Sequence, residues 1–169
     1  MMFLCCFVAA CGSENQDYPL EIQGQLVKYS DCKGAVSVNE LLVKSPQAVP
    51  NNVSQVDYFY DIEAHTLILK HVNSAFNCCP DNLDCQVSFE KGVIIIEERE
   101  NVKDKCKCNC LYDLDILVVG VEPKQYSIKV IEPYYSGEQK IVFDVDLAKK
   151  SEGSFSATRN EYPWGESYL

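Results

Sequence analysis

From residue 18 to 148 the chain alternates apolar and polar positions in short runs, each closed by a turn signal, and no stretch keeps the 3.6-residue period of an amphipathic helix. Tyr18, Leu20, Ile22 and Leu26 outline a first strand, with Gly24 as its expected bulge or kink. Val56, Tyr58, Tyr60 and Ile62 lie on one side of the next run, and Leu67, Leu69 and His71 on one side of its successor. The turn at 61–64 joins the two as a hairpin. Runs 85–89 and 93–96 flank Glu90-Lys91-Gly92, a second hairpin whose glycine supplies positive φ. Residues 106–118 place Cys106, Cys108, Cys110, Tyr112, Leu114, Ile116 and Val118 on one face. Tyr126, Ile128 and Val130 follow, then Ile141, Phe143, Val145 and Leu147. Residues 97–104 read as charged and exposed, and 149–169 as a polar tail ending in Tyr162-Pro163-Trp164.

Seven or eight short strands with turns about every ten residues predict an all-β antiparallel sandwich spanning 18–148, with a small barrel as the alternative. The turn Val119-Gly120-Val121-Glu122-Pro123-Lys124-Gln125 before Tyr126 resembles the link between late strands of immunoglobulin-like and fibronectin-like domains. That resemblance implies an immunoglobulin-like arrangement.

The ends change the picture. Residues 1–10 are apolar, too short to cross a bilayer, and finish as Val8-Ala9-Ala10 before Cys11. This resembles the lipobox of bacterial lipoproteins, which implies cleavage before Cys11, a diacylglycerol on its thiol and membrane attachment. Residues 11–17 then form the lipidated cysteine and a polar tether. No Lys or Arg precedes the apolar run, so a start further upstream, or an ordinary secretory leader, is the alternative. Both predict export. Phe76-Asn77-Cys78-Cys79 together with Cys106-Lys107-Cys108-Asn109-Cys110-Leu111-Tyr112-Asp113 resembles exported Bacteroidetes-type lipoproteins, which implies location and fold but no activity.

Export turns cysteine toward disulfides. Seven thiols remain after Cys5, Cys6 and Cys11 are set aside: Cys32, Cys78, Cys79, Cys85, Cys106, Cys108 and Cys110. The odd number demands a free thiol, an intermolecular bridge or a metal. At least two bridges are expected from Cys78, Cys79 and Cys85 to the Cys106–Cys110 strand, and Cys32 is the expected unpaired thiol. Cys108 and Cys110 lie about 6.6 Å apart on one strand face, too far to favour bridging each other. Zinc or copper on Cys78, Cys79, Cys108 and Cys110 is the alternative, although Cys-Cys and Cys-x-Cys depart from the usual zinc spacing.

A net charge of -10 argues against nucleic acid and anionic lipid headgroups as partners. No Gly-x-Ser-x-Gly occurs, and of the two histidines, His65 and His71, the latter shares its face with Leu67 and Leu69, so it reads as packed. No catalytic residue and no cofactor is expected. Asp113/Asp115 and Asp144/Asp146 would hold calcium only if their strands were neighbours. The expected task is binding or scaffolding at a cell envelope, through loops such as 46–52 or the tail 162–165, which docking on its own domain would instead occupy.

Overall fold

The computed structural model describes residues 21–33 and 49–164. Cys11, the leader, the tether and part of loop 46–52 lie outside these residues. Nine strands are present among them: β1 (Gln23–Tyr29), β2 (Val53–Asp61), β3 (Thr66–Asn77), β4 (Asn82–Glu90), β5 (Val93–Asn101), β6 (Asn109–Val119), β7 (Gln125–Ile131), β8 (Ile141–Asp146) and β9 (Glu152–Thr158). They form two sheets, ordered β1-β6-β3-β2-β9 and β4-β5-β7-β8. All pairs are antiparallel except β5 with β7, which run parallel because the chain visits the other sheet as β6 between them.

The alternation read from the sequence is what fills the space between the sheets. Val56, Tyr58, Tyr60, Leu67 and Leu69 from one layer meet Ile94, Ile96, Ile128, Val130 and Val145 from the other, with Leu114, Ile116 and Val118 beside them. Each fully buried aliphatic side chain contributes roughly 1.5–3 kcal/mol. Phe143 stacks on Phe155 with ring centroids 5.1 Å apart, closing the edge where β8 of one sheet faces β9 of the other.

Local chemistry sets the turns. Lys91 and Gly92 have φ of 49° and 85°, the two left-handed positions of a two-residue hairpin between paired Glu90 and Val93. In the β2–β3 hairpin, Asp61 Oδ1 accepts from the amides of Glu63 and Ala64, both at 3.0 Å. The Glu122 amide donates to Tyr126 Oη at 3.1 Å, tying the turn that crosses from β6 to β7 to the start of its strand.

Several expectations need correction. The irregularity in β1 falls between Leu26 and Lys28, not at Gly24. Gly24 is a close approach instead, since a Cβ there would lie 2.6 Å from Val87 Cγ2 in the opposite sheet. The strand beginning at Cys106 starts only at Asn109, and Cys108 is exposed while Cys110 is buried. Residues 149–169 are not simply a tail: 152–158 form β9 along β2. Only Phe155 and Ala157 mark its inward face, and Gly153 lies where a side chain would strike the Tyr58 ring, so an apolar pattern never develops. This ninth strand also takes the count above the seven or eight expected. The aspartate pairs sit in different sheets, β6 and β8, and cannot share an ion.

Candidate functional site

β1, β3, β5, β7 and β9 all finish at one end of the sandwich, where β2, β4, β6 and β8 begin. Two groups of reactive side chains collect there. One is sealed inside and the other is formed by sulfur.

The sealed group contains Ser54, His71, Glu98, Glu132 and Arg159, every one buried. Strand parity explains the first three: Ser54 continues the inward face of Val56 and Tyr58, His71 that of Leu67 and Leu69, and Glu98 that of Ile94 and Ile96. Residues 97–104 are therefore not uniformly exposed, as their charge had suggested. His71 Nδ1 lies 2.6 Å from Glu98 Oε1, and its Nε2 lies 2.7 Å from Ser54 Oγ and 3.8 Å from Glu132 Oε1. Ser74 Oγ donates to the second oxygen of Glu98 at 2.6 Å. Arg159 Nη2 donates to Glu132 Oε2 at 2.5 Å, and its Nη1 to the Gln139 carbonyl. Its guanidinium stacks over the Tyr135 ring, 3.6 Å from the centroid.

Desolvation alone would lower the His71 pKa, but the charge and hydrogen bond of Glu98, with the charge of Glu132, outweigh it and the opposing Arg159 to raise it. Burial raises the Glu132 pKa, with His71 and Arg159 acting the other way. The protonated imidazole gives two cations against two carboxylates, a neutral set, which is how buried charge is tolerated. Ser54, His71 and Glu98 are joined hydroxyl to imidazole to carboxylate, the hydrogen-bonding order of a hydrolase triad. With His71 protonated, however, Nε2 donates to Ser54 Oγ, and the serine hydroxyl donates to Glu132 at 3.2 Å. In its protonated form the imidazole has no free lone pair with which to act as a general base. No surface of Ser54 reaches solvent. The raised His71 pKa favours that protonated form. His71 is thus packed, as its face implied, but its polar partners were missed; the inward parity of Ser54 and Glu98 was the available signal.

Sulfur forms the second group. Cys32 pairs with Cys110, Cys78 with Cys108, and Cys79 with Cys106. The two expected links from Cys78-Cys79 to the 106–110 segment are present, and Cys108 and Cys110 each bridge elsewhere. Two assignments are overturned: Cys32 is bonded, and Cys85 is the free thiol among the described residues. Cys32 is far from the others in sequence, but β1 pairs with β6 and delivers it to Cys110. Cys85 points into the core at the inward parity of β4, opposite Glu98 in the register, and burial, then the charges of Asp84 and Glu98, push its thiol up to about 12.

Asn77 organises the sulfur end. Its buried side chain donates to the carbonyls of Cys106 and Cys108 at 2.8 and 3.1 Å and accepts from the amides of Cys79 and Cys106, both at 3.1 Å. The Cys78 amide donates to the Cys108 carbonyl at 3.0 Å. Cys110 Sγ lies 3.2 Å from Cys78 Sγ, and the sulfurs of Cys32, Cys78 and Cys110 are mutually within 4.8 Å. Of the four cysteines considered as a zinc set, all are in disulfides, so such a set would need all three bridges reduced.

Trp164 is fully buried against Ala75 and Leu111 on the outer face of the β3–β6 pair, so the tail docks on its own domain. Among the described residues the remainder of that outer face is open. Asp57, Lys70, Asp115 and Lys28 lie in one register row across β2, β3, β6 and β1. The next row holds Phe59, Ile68, Leu117 and Gln25, with Phe59 48% and Ile68 42% exposed.

Three disulfides place the folded chain in an oxidising, extracytoplasmic environment. No helix among the described residues is long and apolar enough to cross a membrane. Comparison with family models, curated proteins and solved structures found no match.

Proposed function

We propose that the protein is an envelope-anchored, immunoglobulin-like lipoprotein of the Bacteroidetes type that binds or scaffolds through surface contacts, without catalysis and without a bound cofactor. A lipid on Cys11 supplies the membrane attachment, and the partner is protein, not nucleic acid. The observation that carries this reading is the open outer face of the β1-β6-β3-β2 strands. Its charged row alternates in sign, Asp57, Lys70, Asp115, Lys28, and none of the four side chains takes part in a salt bridge among the described residues.

A row of this kind is its own complement. A second copy, turned by half a turn about an axis parallel to the strands between β3 and β6, lays Asp57 on Lys28 and Lys70 on Asp115. The same operation sets Ile68 on Leu117. The occupant of this face is therefore a second copy of the chain. Four strands at about 4.8 Å spacing and three residue levels at about 6.8 Å cover on the order of 400 Å² per copy. That is half of the roughly 800 Å² a stable interface buries on each side, and a net charge of -10 adds repulsion. Free in solution the contact is weak. Confinement to a membrane surface raises the effective concentration, so anchor and face work together.

Membrane fractionation with surface cross-linking tests both parts. The natural chain is expected in the membrane fraction and cross-linked to itself. Cys11→Ala is expected in the soluble fraction, and Ile68→Asp in the membrane fraction but not cross-linked. Membrane retention of Cys11→Ala in a chain carrying no lipid mass contradicts the anchor. Undiminished cross-linking of Ile68→Asp contradicts the docking face.

A further inference from the structure

We propose that Cys32, Cys78, Cys108 and Cys110 form a thiol–disulfide exchange relay, in which attack by an external monothiol on exposed Cys108 ends with Cys78 bonded to Cys110 and Cys32 released. The inference rests on the sulfur geometry alone and does not depend on the docking face.

Access sets the direction. Cys108 is exposed, Cys78 and Cys32 are half-buried and Cys110 is buried, so of the two bridges in the relay an external thiolate reaches Cys78–Cys108 first and from the Cys108 side. Its sulfur bonds to Cys108 Sγ, the Cys78–Cys108 bond breaks, and the electron pair leaves on Cys78 as a thiolate. That thiolate is formed 3.2 Å from Cys110 Sγ, already in contact with the next disulfide. Attack there forms Cys78–Cys110, breaks Cys32–Cys110, and leaves the electron pair on Cys32, which takes a proton from solvent. A second external thiol displaces the mixed disulfide at Cys108. In total, two external thiols become one external disulfide, two protein disulfides become one, and Cys32 and Cys108 each gain a hydrogen. Sulfur contact removes the search that ordinarily limits such exchange, while Asn77 holds the carbonyls of Cys106 and Cys108 so that the attacked bridge does not drift away.

The product changes the fold locally. Cys32 lies just beyond β1, and the Cys32–Cys110 bridge is the covalent link between that strand end and β6. Exchange cuts this link while keeping Cys78 tied to the β6 start through Cys110. The Cys79–Cys106 bridge takes no part in the relay: Cys79 is exposed to the same thiol, but neither of its sulfurs belongs to the Cys32, Cys78 and Cys110 cluster.

Limited treatment of the full natural chain with glutathione, quenching by alkylation and disulfide peptide mapping tests the relay. Label is expected at Cys32 and Cys108, accompanied by a Cys78–Cys110 linked peptide, whatever the state of the exposed Cys79–Cys106 bridge. Label at Cys78 and Cys108 with Cys32–Cys110 intact overturns it. Mapping of Cys32→Ser provides a second reading without reductant. A Cys78–Cys110 peptide with Cys108 free is expected, whereas Cys78–Cys108 retained with Cys110 free contradicts the proposed contact.

Discussion

Trp164 Nε1 donates a 2.6 Å hydrogen bond to the backbone carbonyl of Asn73. Asn73 sits at the irregularity of β3 with φ of 63°, and nothing on it is unpaired. Its amide donates to Asp113, its side-chain nitrogen to the carbonyls of Pro50 and Val53, and its side-chain oxygen accepts from Lys33. The tail is locked onto the point where β3 departs from regular pairing. Trp164→Ala is expected to destabilise the fold by about 3–5 kcal/mol through the cavity left between Ala75, Leu111 and Tyr135. Trp164→Phe, which keeps most of the volume, loses about 1 kcal/mol for the hydrogen bond and whatever packing the smaller ring gives up. Denaturant titration of the two variants separates packing from hydrogen bonding.

The buried charges make stability depend on pH with a definite sign. His71 has a pKa above its ordinary 6.5, so its contribution is fully present below about 6.5 and is lost as pH rises through the folded value. Glu132, raised from 4.5, acts in the same direction, because its folded state also favours the protonated form; its decline begins near 4.5. Melting temperature measured from pH 5 to 9 is expected to fall on the alkaline side, and His71→Gln is expected to flatten the part of that fall above pH 6.5.

Removing one buried charge exposes the others. Arg159→Met strands Glu132 beside Glu98 and is expected to cost about 3–5 kcal/mol. Adding Glu132→Gln should recover part of that loss by restoring neutrality with His71 and Glu98. A double-mutant cycle gives the coupling, and strict additivity of the two changes would contradict a shared cluster.

How far the sequence went depends on residue type. Alternating Val, Ile, Leu and Tyr announced eight of the nine strands, because two-residue periodicity is written directly into side-chain polarity. β9 was hidden, since the Tyr58 ring requires a glycine at 153 and the exposed positions 154 and 156 are serines. Glu98 was read as wet on its charge, although its parity with Ile94 and Ile96 pointed inward; its partners His71 and Ser74 are distant in sequence. Cys32 and Cys85 exchanged roles for a similar reason. Strand order, which local pattern does not encode, decides which cysteine meets the cluster.

Loop length separates the bridges. Cys32–Cys110 spans 78 residues and Cys79–Cys106 spans 27, so the former restricts the unfolded chain more, by about 1 kcal/mol in the chain-entropy account. Replacing both members of each pair by Ser and comparing unfolding free energies checks the ranking. In the natural folded chain Cys85 should resist alkylation and react once the protein is unfolded without reductant, giving one label among the seven cysteines of the described residues.

Charge exchange across the outer face tests the scaffolding account most directly. In the proposed pairing Lys70 of one copy meets Asp115 of the other, so Lys70→Asp and Asp115→Lys each place like charges together, while the double variant restores opposite ones. Sedimentation equilibrium at about 0.15 M salt, where charges more than about 8 Å apart are largely screened, is to be run at high protein concentration on all four chains. Self-association is expected for the natural chain, lost in each single variant and recovered in the double variant. Single variants that associate as well as the natural chain, or a double variant as defective as its parents, would contradict the face as the site where copies meet.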